Sequence, residues 1–229
     1  MPRRALIEKR PWLLASLVAG IGYYFIAGSA LPDLYEWAIK GAGVAFLAVY
    51  ALARHQGRDA NQIAAAMAFG ALGDVLIELD IVWGALAFLA GHLVAIQIYW
   101  HHRRVSLSAS QIALALTLLV LVPLIAFQLP ADRTGAPGVA LYAFGLAAMA
   151  ASAWTSSFPR YRVGLGAIMF VISDLLIFAR MGVLAGSVVP GLLIWPLYYF
   201  GQFLICTGVV GELRYRPPAT QTRSQAVQR

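Results

Sequence analysis

The chain has 229 residues, of which 61% are hydrophobic and only 12% are charged. A soluble domain carries roughly a quarter charged residues, so a chain this short could not bury such an apolar surplus in water, and a soluble globular protein is excluded. The formal net charge of +7 would suggest nucleic acid as a partner of a soluble protein. Here the basic residues lie between apolar segments and at the termini, which is typical of membrane topology and phospholipid headgroups, so we expect membrane lipids and no nucleic acid as partners.

Apolar stretches of about 20 residues mark membrane-spanning helices. The sequence contains eight of them, joined by short connections in which Pro, Gly, Asp and Arg cluster. The predicted spans are 11–31, 36–53, 60–78, 82–101, 109–129, 137–157, 162–180 and 190–213. We therefore predict an all-α membrane protein in which residues 11–213 form a bundle of eight transmembrane helices.

The first span follows four basic residues within residues 1–10, as the apolar region of a secretory signal peptide does. Cleavage after the small residues near Ser29 is the alternative to a retained helix. The apolar run from 11 to 31 is longer than the about 7–15 residues of a signal peptide's apolar region. We therefore expect the first helix to be retained.

The basic residues also orient the bundle. With a cytoplasmic N-terminus, the inside segments hold 14 of the 17 Lys and Arg residues, and only Lys40, Arg133 and Arg180 lie outside. Cytoplasmic segments of membrane proteins carry an excess of Lys and Arg, so both termini are predicted inside (N-in/C-in), with an even number of spans. Residues 1–10 are then a cytoplasmic basic N-terminus, and the polar tail at 214–229 is predicted to be disordered in the cytoplasm.

Ionisable and strongly polar side chains inside a span are costly and indicate function by default. A count of about 1.5 Å per residue along each helix places the candidates at compatible depths in the outer half of the bundle, so we expect them to form one site. They are Asp74 in the third span, His92 in the fourth, Asp174 with the preceding Ser173 in the seventh, and Tyr198, Tyr199 and Gln202 in the eighth.

The two aspartate segments resemble each other. A small residue, Gly73 or Ser173, precedes the aspartate, and Val-Leu-Ile or Leu-Leu-Ile follows it. Four spans separate equivalent points of the two segments. This indicates two parallel four-helix repeats, as in some transporters, although one matched pentapeptide is the whole of the signal.

Each candidate also has a purely structural interpretation. An intramembrane Asp can hydrogen-bond a neighbouring helix, His92 can be a packed imidazole, and Tyr198 and Tyr199 can serve aromatic packing. Tyr198 is favoured for the site because it shares a helix face with Gln202 at i, i+4. No G-x-S-x-G, P-loop, H-E-x-x-H or C-x-x-C motif is present, and a hydrolytic zinc site has more His ligands than one, so we expect neither metal nor cofactor.

Four motifs stand in order along the chain: GDVLI in the third span, FLAGHL in the fourth, FVISDLLI in the seventh and LYYFGQFLI in the eighth. Together they resemble the YhhN family, the lysoplasmalogenase-like membrane proteins, over nearly the whole chain. The resemblance implies an eight-helix bundle that hydrolyses the vinyl ether bond of lysoplasmalogens to a fatty aldehyde and glycerophosphoethanolamine or glycerophosphocholine. The two family aspartates fall on Asp74 and Asp174, while the acidic exit of the third span at Glu78 and Asp80 departs from the family pattern.

Acid cleaves a vinyl ether by protonating the carbon β to the oxygen, after which water adds to the oxocarbenium ion and the hemiacetal collapses. This chemistry requires a carboxylic acid that holds a proton and a second group that stabilises positive charge and orients water. We expect Asp74 and Asp174 to be this pair. The groups expected to orient water or substrate are His92, Ser173, Tyr198, Tyr199 and Gln202.

Three alternatives remain open. A small transporter or proton-coupled carrier would use the same intramembrane Asp and His residues. A membrane hydrolase of lipid amides or esters would share the site, and a purely structural membrane protein would need the aspartates only for stability. For localisation we expect the inner (plasma) membrane of a bacterium, because the chain is compact and lacks sorting tails.

Overall fold

The computed structural model describes residues 11–215, and these residues are almost entirely helical, with no β-strand among them. The predicted basic N-terminus at 1–10 lies outside the described residues. So does the predicted tail at 214–229, except for residues 214 and 215, which are helical rather than disordered. The helices are α1 (Pro11–Ile26), α2 (Asp33–Arg54), α3 (Arg58–Leu79), α4 (Ile81–His101), α5 (Ala109–Gln128), α6 (Ala136–Thr155), α7 (Leu165–Arg180), which follows a π-helical turn (Arg160–Gly164), and α8 (Val189–Tyr215).

The predicted all-α bundle of eight helices is confirmed, and seven of the helices, counting the π-helical turn with α7, are long and apolar enough to cross a membrane. The chain is thus a multi-pass integral membrane protein. The exception is α1, whose predicted extent to residue 31 is wrong. It has 16 residues, about 24 Å of helix, because the chain turns at Gly28, whose φ of +72° is the left-handed conformation that glycine adopts readily.

Polar side chains cap the following helix at two of the connections. Asp80 alone separates α3 from α4, and its carboxylate accepts hydrogen bonds from the backbone N–H groups of Val82 and Trp83, at 2.8 and 3.2 Å. Asp80, the second residue of the acidic exit of the third span, is therefore the N-cap of α4. At the start of α5, Ser108 and Gln111 form a capping box, which satisfies two backbone groups at once.

Six of the helices form a closed ring. Around it, α2 packs against α3, α3 against α4, α4 against α6, α6 against α7, α7 against α8, and α8 against α2. The remaining two pack on the outside, α1 against α2 and α8, and α5 against α6 and α7. They bury only three and four residues respectively. The first helix of each predicted four-helix half is therefore peripheral, which agrees with the proposed repeat, although the repeat itself stays a prediction.

Glycines let the ring helices approach closely next to the aspartates. A Cβ on Gly166 of α7 would lie 2.6 Å from the carbonyl oxygen of Gly201 on α8, and a Cβ on Gly201 would lie 2.8 Å from that of Gly166. On α3, a Cβ on Gly73 would lie 2.8 Å from the ring of Phe88 on α4. Small residues thus set the spacing of the helices that carry both aspartates, as expected for helix packing in membranes.

Candidate active site

The two aspartates face one small cavity. Asp74 on α3 and Asp174 on α7 are 2% and 5% exposed, and both line a cavity of about 40 Å³ together with Ser173 and Tyr198. A cavity needs about 10–15 Å³ to hold a water molecule, so this one has room for water. Of the residues that the depth count grouped together, Asp74, Ser173, Asp174 and Tyr198 line this cavity.

On one side of the cavity, Asp74 is bound by a tyrosine. The hydroxyl of Tyr198 on α8 donates to Oδ2 of Asp74 at 2.9 Å. Gln202 lies one turn further along α8, and a Cβ on Gly70 would meet both its Nε2, at 2.9 Å, and the Tyr198 hydroxyl, at 3.4 Å. Gly70 therefore leaves the space in which these two polar groups lie next to each other.

On the other side, Asp174 is also bound by a tyrosine, and this residue was missed by the sequence analysis. The hydroxyl of Tyr142 on α6 donates to Oδ2 of Asp174 at 2.6 Å, and it lies 3.3 Å from Nε2 of His92. A hydroxyl has one hydrogen, so when it donates to Asp174 it accepts from Nε2–H of His92. The signal was available, because Tyr142 is six residues from the outer end of α6, about 9 Å deep, the depth counted for Asp174.

Aromatic rings fill the space between the two tyrosine–aspartate pairs. Phe170 on α7 has its ring centroid 5.0 Å from those of both His92 and Tyr198, and Phe88 on α4 lies 5.6 Å from Tyr198. Rings at these distances pack at near-perpendicular angles, an arrangement that adds stability beyond the area buried. These rings therefore hold the imidazole and the phenol in fixed positions.

A second cavity lies on the other side of Phe88, which lines both. Its volume is about 20 Å³, and its polar lining residues are His92, Tyr99 and Gln202. The Tyr99 hydroxyl is fully buried and has no hydrogen-bond partner. A volume of this size admits one water molecule, which needs two to four polar partners, and these three side chains supply them.

Two of the predicted site residues have their hydroxyls engaged elsewhere. The Tyr199 hydroxyl lies 2.9 Å from Oγ of Ser16 on α1, and Ser16 in turn donates to the Gly43 carbonyl oxygen on α2 at 2.6 Å. Tyr199 therefore joins α8 to α1 and α2 and lines neither cavity. Ser173 does line the cavity of the aspartates, but its hydroxyl donates to the carbonyl oxygen of Ile194 at 2.9 Å, which attaches α7 to α8.

An ion pair lies at the outer end of the site. Lys40 on α2 lines the same cavity as both aspartates, and its ammonium group pairs with the carboxylate of Glu78 on α3. The side chains are 12% and 33% exposed, so counting Lys40 only among the residues that orient the bundle was incomplete. The signal was the position of Lys40, seven residues inside the apolar helix that begins at Asp33.

The bundle and the buried polar residues define a class of protein, a multi-pass integral membrane protein whose helices enclose an aspartate pair held by tyrosines. Within residues 11–215, no group of three or more His, Cys, Asp or Glu side chains is arranged to hold a metal ion. The YhhN family model matches residues 35–209, from the first turn of α2 into α8. The chain belongs to the YhhN family. No curated protein and no solved structure gives a significant match.

Proposed function

We propose that this protein is a membrane-embedded hydrolase that cleaves the vinyl ether bond of lysoplasmalogens. The products are a fatty aldehyde and glycerophosphoethanolamine or glycerophosphocholine. The observation that supports the proposal most is the common cavity of Asp74 and Asp174, two carboxyls that are 2% and 5% exposed. Membership of the YhhN family agrees with it.

The proposed reaction begins with proton transfer to carbon. One carboxyl, in its neutral form, donates a proton to the vinyl carbon β to the ether oxygen, and the positive charge that develops on the adjacent carbon and oxygen is stabilised by the other, ionised carboxyl. Two carboxyls at one small cavity carry a single negative charge more readily than two. Asp74 and Asp174 therefore supply an acid and an anion in one site.

Water completes the reaction. It adds to the carbon of the oxocarbenium ion and gives up a proton to the carboxylate, which forms a hemiacetal. The hemiacetal hydroxyl then gives its proton to the ionised carboxyl while the neutral carboxyl protonates the glycerol oxygen. The bond between the carbon and that oxygen breaks, the aldehyde leaves, and the pair of carboxyls again holds one proton. The cavity beside the aspartates has the volume for this water, and the hydroxyls of Tyr142 and Tyr198 hold the two carboxyls in position.

The hydrogen bonds favour Asp174 as the acid. Asp174 is connected through the Tyr142 hydroxyl to His92, and His92 lines the second cavity. We call Asp174, Tyr142 and His92 the proton relay. Asp74 is instead connected through Tyr198 to the amide of Gln202, which does not exchange protons. The relay gives Asp174 a path by which it can exchange a proton with His92 between the steps of the reaction.

Aldehyde release from a purified lysoplasmalogen tests the proposal. We expect the wild-type protein to release aldehyde, and Asp74→Asn and Asp174→Asn to abolish release while both variants stay folded in detergent. Asp132→Asn is the matched control, because Asp132 bonds only to Thr134 in an exposed loop. Full activity in both intramembrane variants would refute the mechanism. Fatty acid or amine among the products, in place of aldehyde, would indicate an ester or amide hydrolase.

A proton-coupled carrier is the second candidate, and the proton relay is the observation that favours it. Chains of Asp, Tyr and His inside a bundle are what proton-translocating proteins use. Reconstituted liposomes separate the two candidates, because a carrier would move protons with a solute and leave a lysoplasmalogen intact.

We place the protein in the inner membrane of a bacterium, with membrane lipids around it and a lysophospholipid as its substrate.

A further inference from the structure

The proposed chemistry uses the aspartates and tyrosines but gives no role to a lysine that lines the same cavity or to the glutamate paired with it. Lys40 lines the cavity beside Asp74 and Asp174, and only 12% of its side chain is exposed. Holding an ammonium group away from water is costly unless it is paired. Its partner Glu78 compensates that cost, so the ion pair is a fixed feature at the outer end of the site.

The position of the pair matches the build of the proposed substrate. Glu78 follows Asp74 by four residues on α3, one helical turn or about 6 Å toward the outer end. In a lysoplasmalogen, a three-carbon glycerol separates the vinyl ether from the phosphate, and the headgroup amine follows the phosphate. With the vinyl ether at the aspartates, the phosphate and the amine fall at the level of Lys40 and Glu78.

We propose that Lys40 and Glu78 form the headgroup subsite, with the Lys40 ammonium bound to the substrate's phosphodiester and the Glu78 carboxylate bound to its amine. This inference rests on the proposed function. A zwitterionic headgroup carries one charge of each sign. When it binds, the phosphodiester replaces Glu78 as the partner of Lys40, and the amine replaces Lys40 as the partner of Glu78. The exchange keeps every charge paired, which avoids the penalty of leaving a buried charge uncompensated.

The subsite implies a headgroup preference. The primary ammonium of ethanolamine has three N–H donors for the Glu78 carboxylate, whereas the trimethylammonium of choline has none. Charge-assisted hydrogen bonds are the stronger kind. Ethanolamine lysoplasmalogens are therefore the preferred substrates, and Glu78 is the residue that determines this preference.

The test compares three substrates that carry the same alkenyl chain: the ethanolamine lysoplasmalogen, the choline lysoplasmalogen and the 1-alkenylglycerol without phosphate. We expect Lys40→Gln to raise KM for both phospholipids about tenfold or more relative to its effect on KM for 1-alkenylglycerol, the difference that one charge-assisted hydrogen bond makes. Glu78→Gln should bring the ratio of kcat/KM for ethanolamine and choline close to one. Arg133→Gln and Asp33→Asn, in or next to exposed loops at the same end of the bundle, are the matched controls.

Loss of activity on all three substrates in Lys40→Gln would overturn the inference, because it would show that Lys40 acts on the aspartates or on folding. The double variant Lys40→Glu, Glu78→Lys keeps an ion pair and so guards against unfolding. It should still hydrolyse 1-alkenylglycerol and lose the headgroup preference. A retained preference would count against the subsite.

A binding measurement separates failure of this inference from failure of the proposed function. The probe is a 1-alkyl lysophosphatidylethanolamine, which has no vinyl ether and is not cleaved. If the wild-type protein releases no aldehyde but binds this probe, and Lys40→Gln weakens binding about tenfold, the hydrolase proposal fails while the headgroup subsite stands. Equal binding by wild-type and variant overturns the subsite whatever the activity.

Discussion

Tyr142 on α6 donates a 2.6 Å hydrogen bond to Oδ2 of Asp174 on α7. The same Tyr142 hydroxyl lies 3.3 Å from Nε2 of His92 on α4. Residues of three helices therefore meet at the hydroxyl oxygen of Tyr142. Tyr198 and Asp74 form the corresponding bond on the other side of the cavity. Each carboxyl thus has its own phenol, which fixes its orientation, but only one of the phenols is connected to a group that exchanges protons.

Removing the Tyr142 hydroxyl should therefore slow the reaction without weakening substrate binding. Tyr142→Phe takes one hydrogen bond from Asp174, and we expect kcat to fall about 10- to 100-fold, the equivalent of one bond to a charged group, with little change in KM. Tyr199→Phe is the control, because that hydroxyl bonds to Ser16 outside the cavity. A Tyr142→Phe protein with wild-type kcat would remove Tyr142 from the mechanism.

The role of His92 can be separated into positioning and proton transfer. His92→Gln retains an N–H donor for the Tyr142 hydroxyl but cannot carry a proton, whereas His92→Phe removes both properties. If the proton relay operates, both variants should lower kcat by about a hundredfold, the lower range for a positioned proton-transfer group. Rates of aldehyde release give the answer, and normal activity in His92→Gln would mean that His92 only positions Tyr142.

The close approach of α7 and α8 predicts opposite effects for two alanine substitutions in the same helix. A Cβ on Gly201 would lie 2.8 Å from the backbone of Gly166, whereas a Cβ on Gly211 would meet nothing within 4 Å. Gly201→Ala should lower the free energy of unfolding by about 1–2 kcal/mol, since overpacking costs about 1–3 kcal/mol and helix propensity returns up to about 1 kcal/mol. Gly211→Ala should raise it by about 0.5–1 kcal/mol. Denaturant titration in detergent measures both, and equal shifts would contradict the packing argument.

The predicted orientation with both termini in the cytoplasm can be tested by labelling in intact cells. Ser106 lies in the exposed connection between α4 and α5, and Thr134 lies in that between α5 and α6. A membrane-impermeant maleimide should label Thr134→Cys directly and Ser106→Cys only after permeabilisation. The natural Cys206 is buried, and labelling of the protein without an added cysteine measures the background signal. The reverse labelling pattern would invert the topology.

The helices could be predicted from the sequence because the length of an apolar run is a local property that directly reflects the thickness of the bilayer. The end of α1 could not, since the run continues to residue 31 while the backbone turns at Gly28. The aspartates were found because an ionisable residue in an apolar run is conspicuous. Tyr142 was missed because the search for buried polar groups began from ionisable residues and left a phenol in a span unexamined.

Side-chain direction is the part that sequence alone left undetermined. Adjacent residues of an α-helix point about 100° apart, so of two neighbouring tyrosines only Tyr198 reaches Asp74, while Tyr199 reaches Ser16. Lys40 was counted only among the residues that orient the bundle in the membrane. A count of charges per loop does not reveal which lysine extends along a helix into the bundle. Contacts between helices far apart in sequence decide such cases.

Asp74 and Asp174 are 2% and 5% exposed, so neither carboxyl can be reached by a lysolipid from outside the bundle. Every catalytic cycle must then include a mechanical step in which neighbouring helices separate against the lateral pressure of the bilayer. Turnover should accordingly respond to acyl-chain order and bilayer thickness, with thinner or more fluid membranes giving faster cycles even though the chemical groups stay the same.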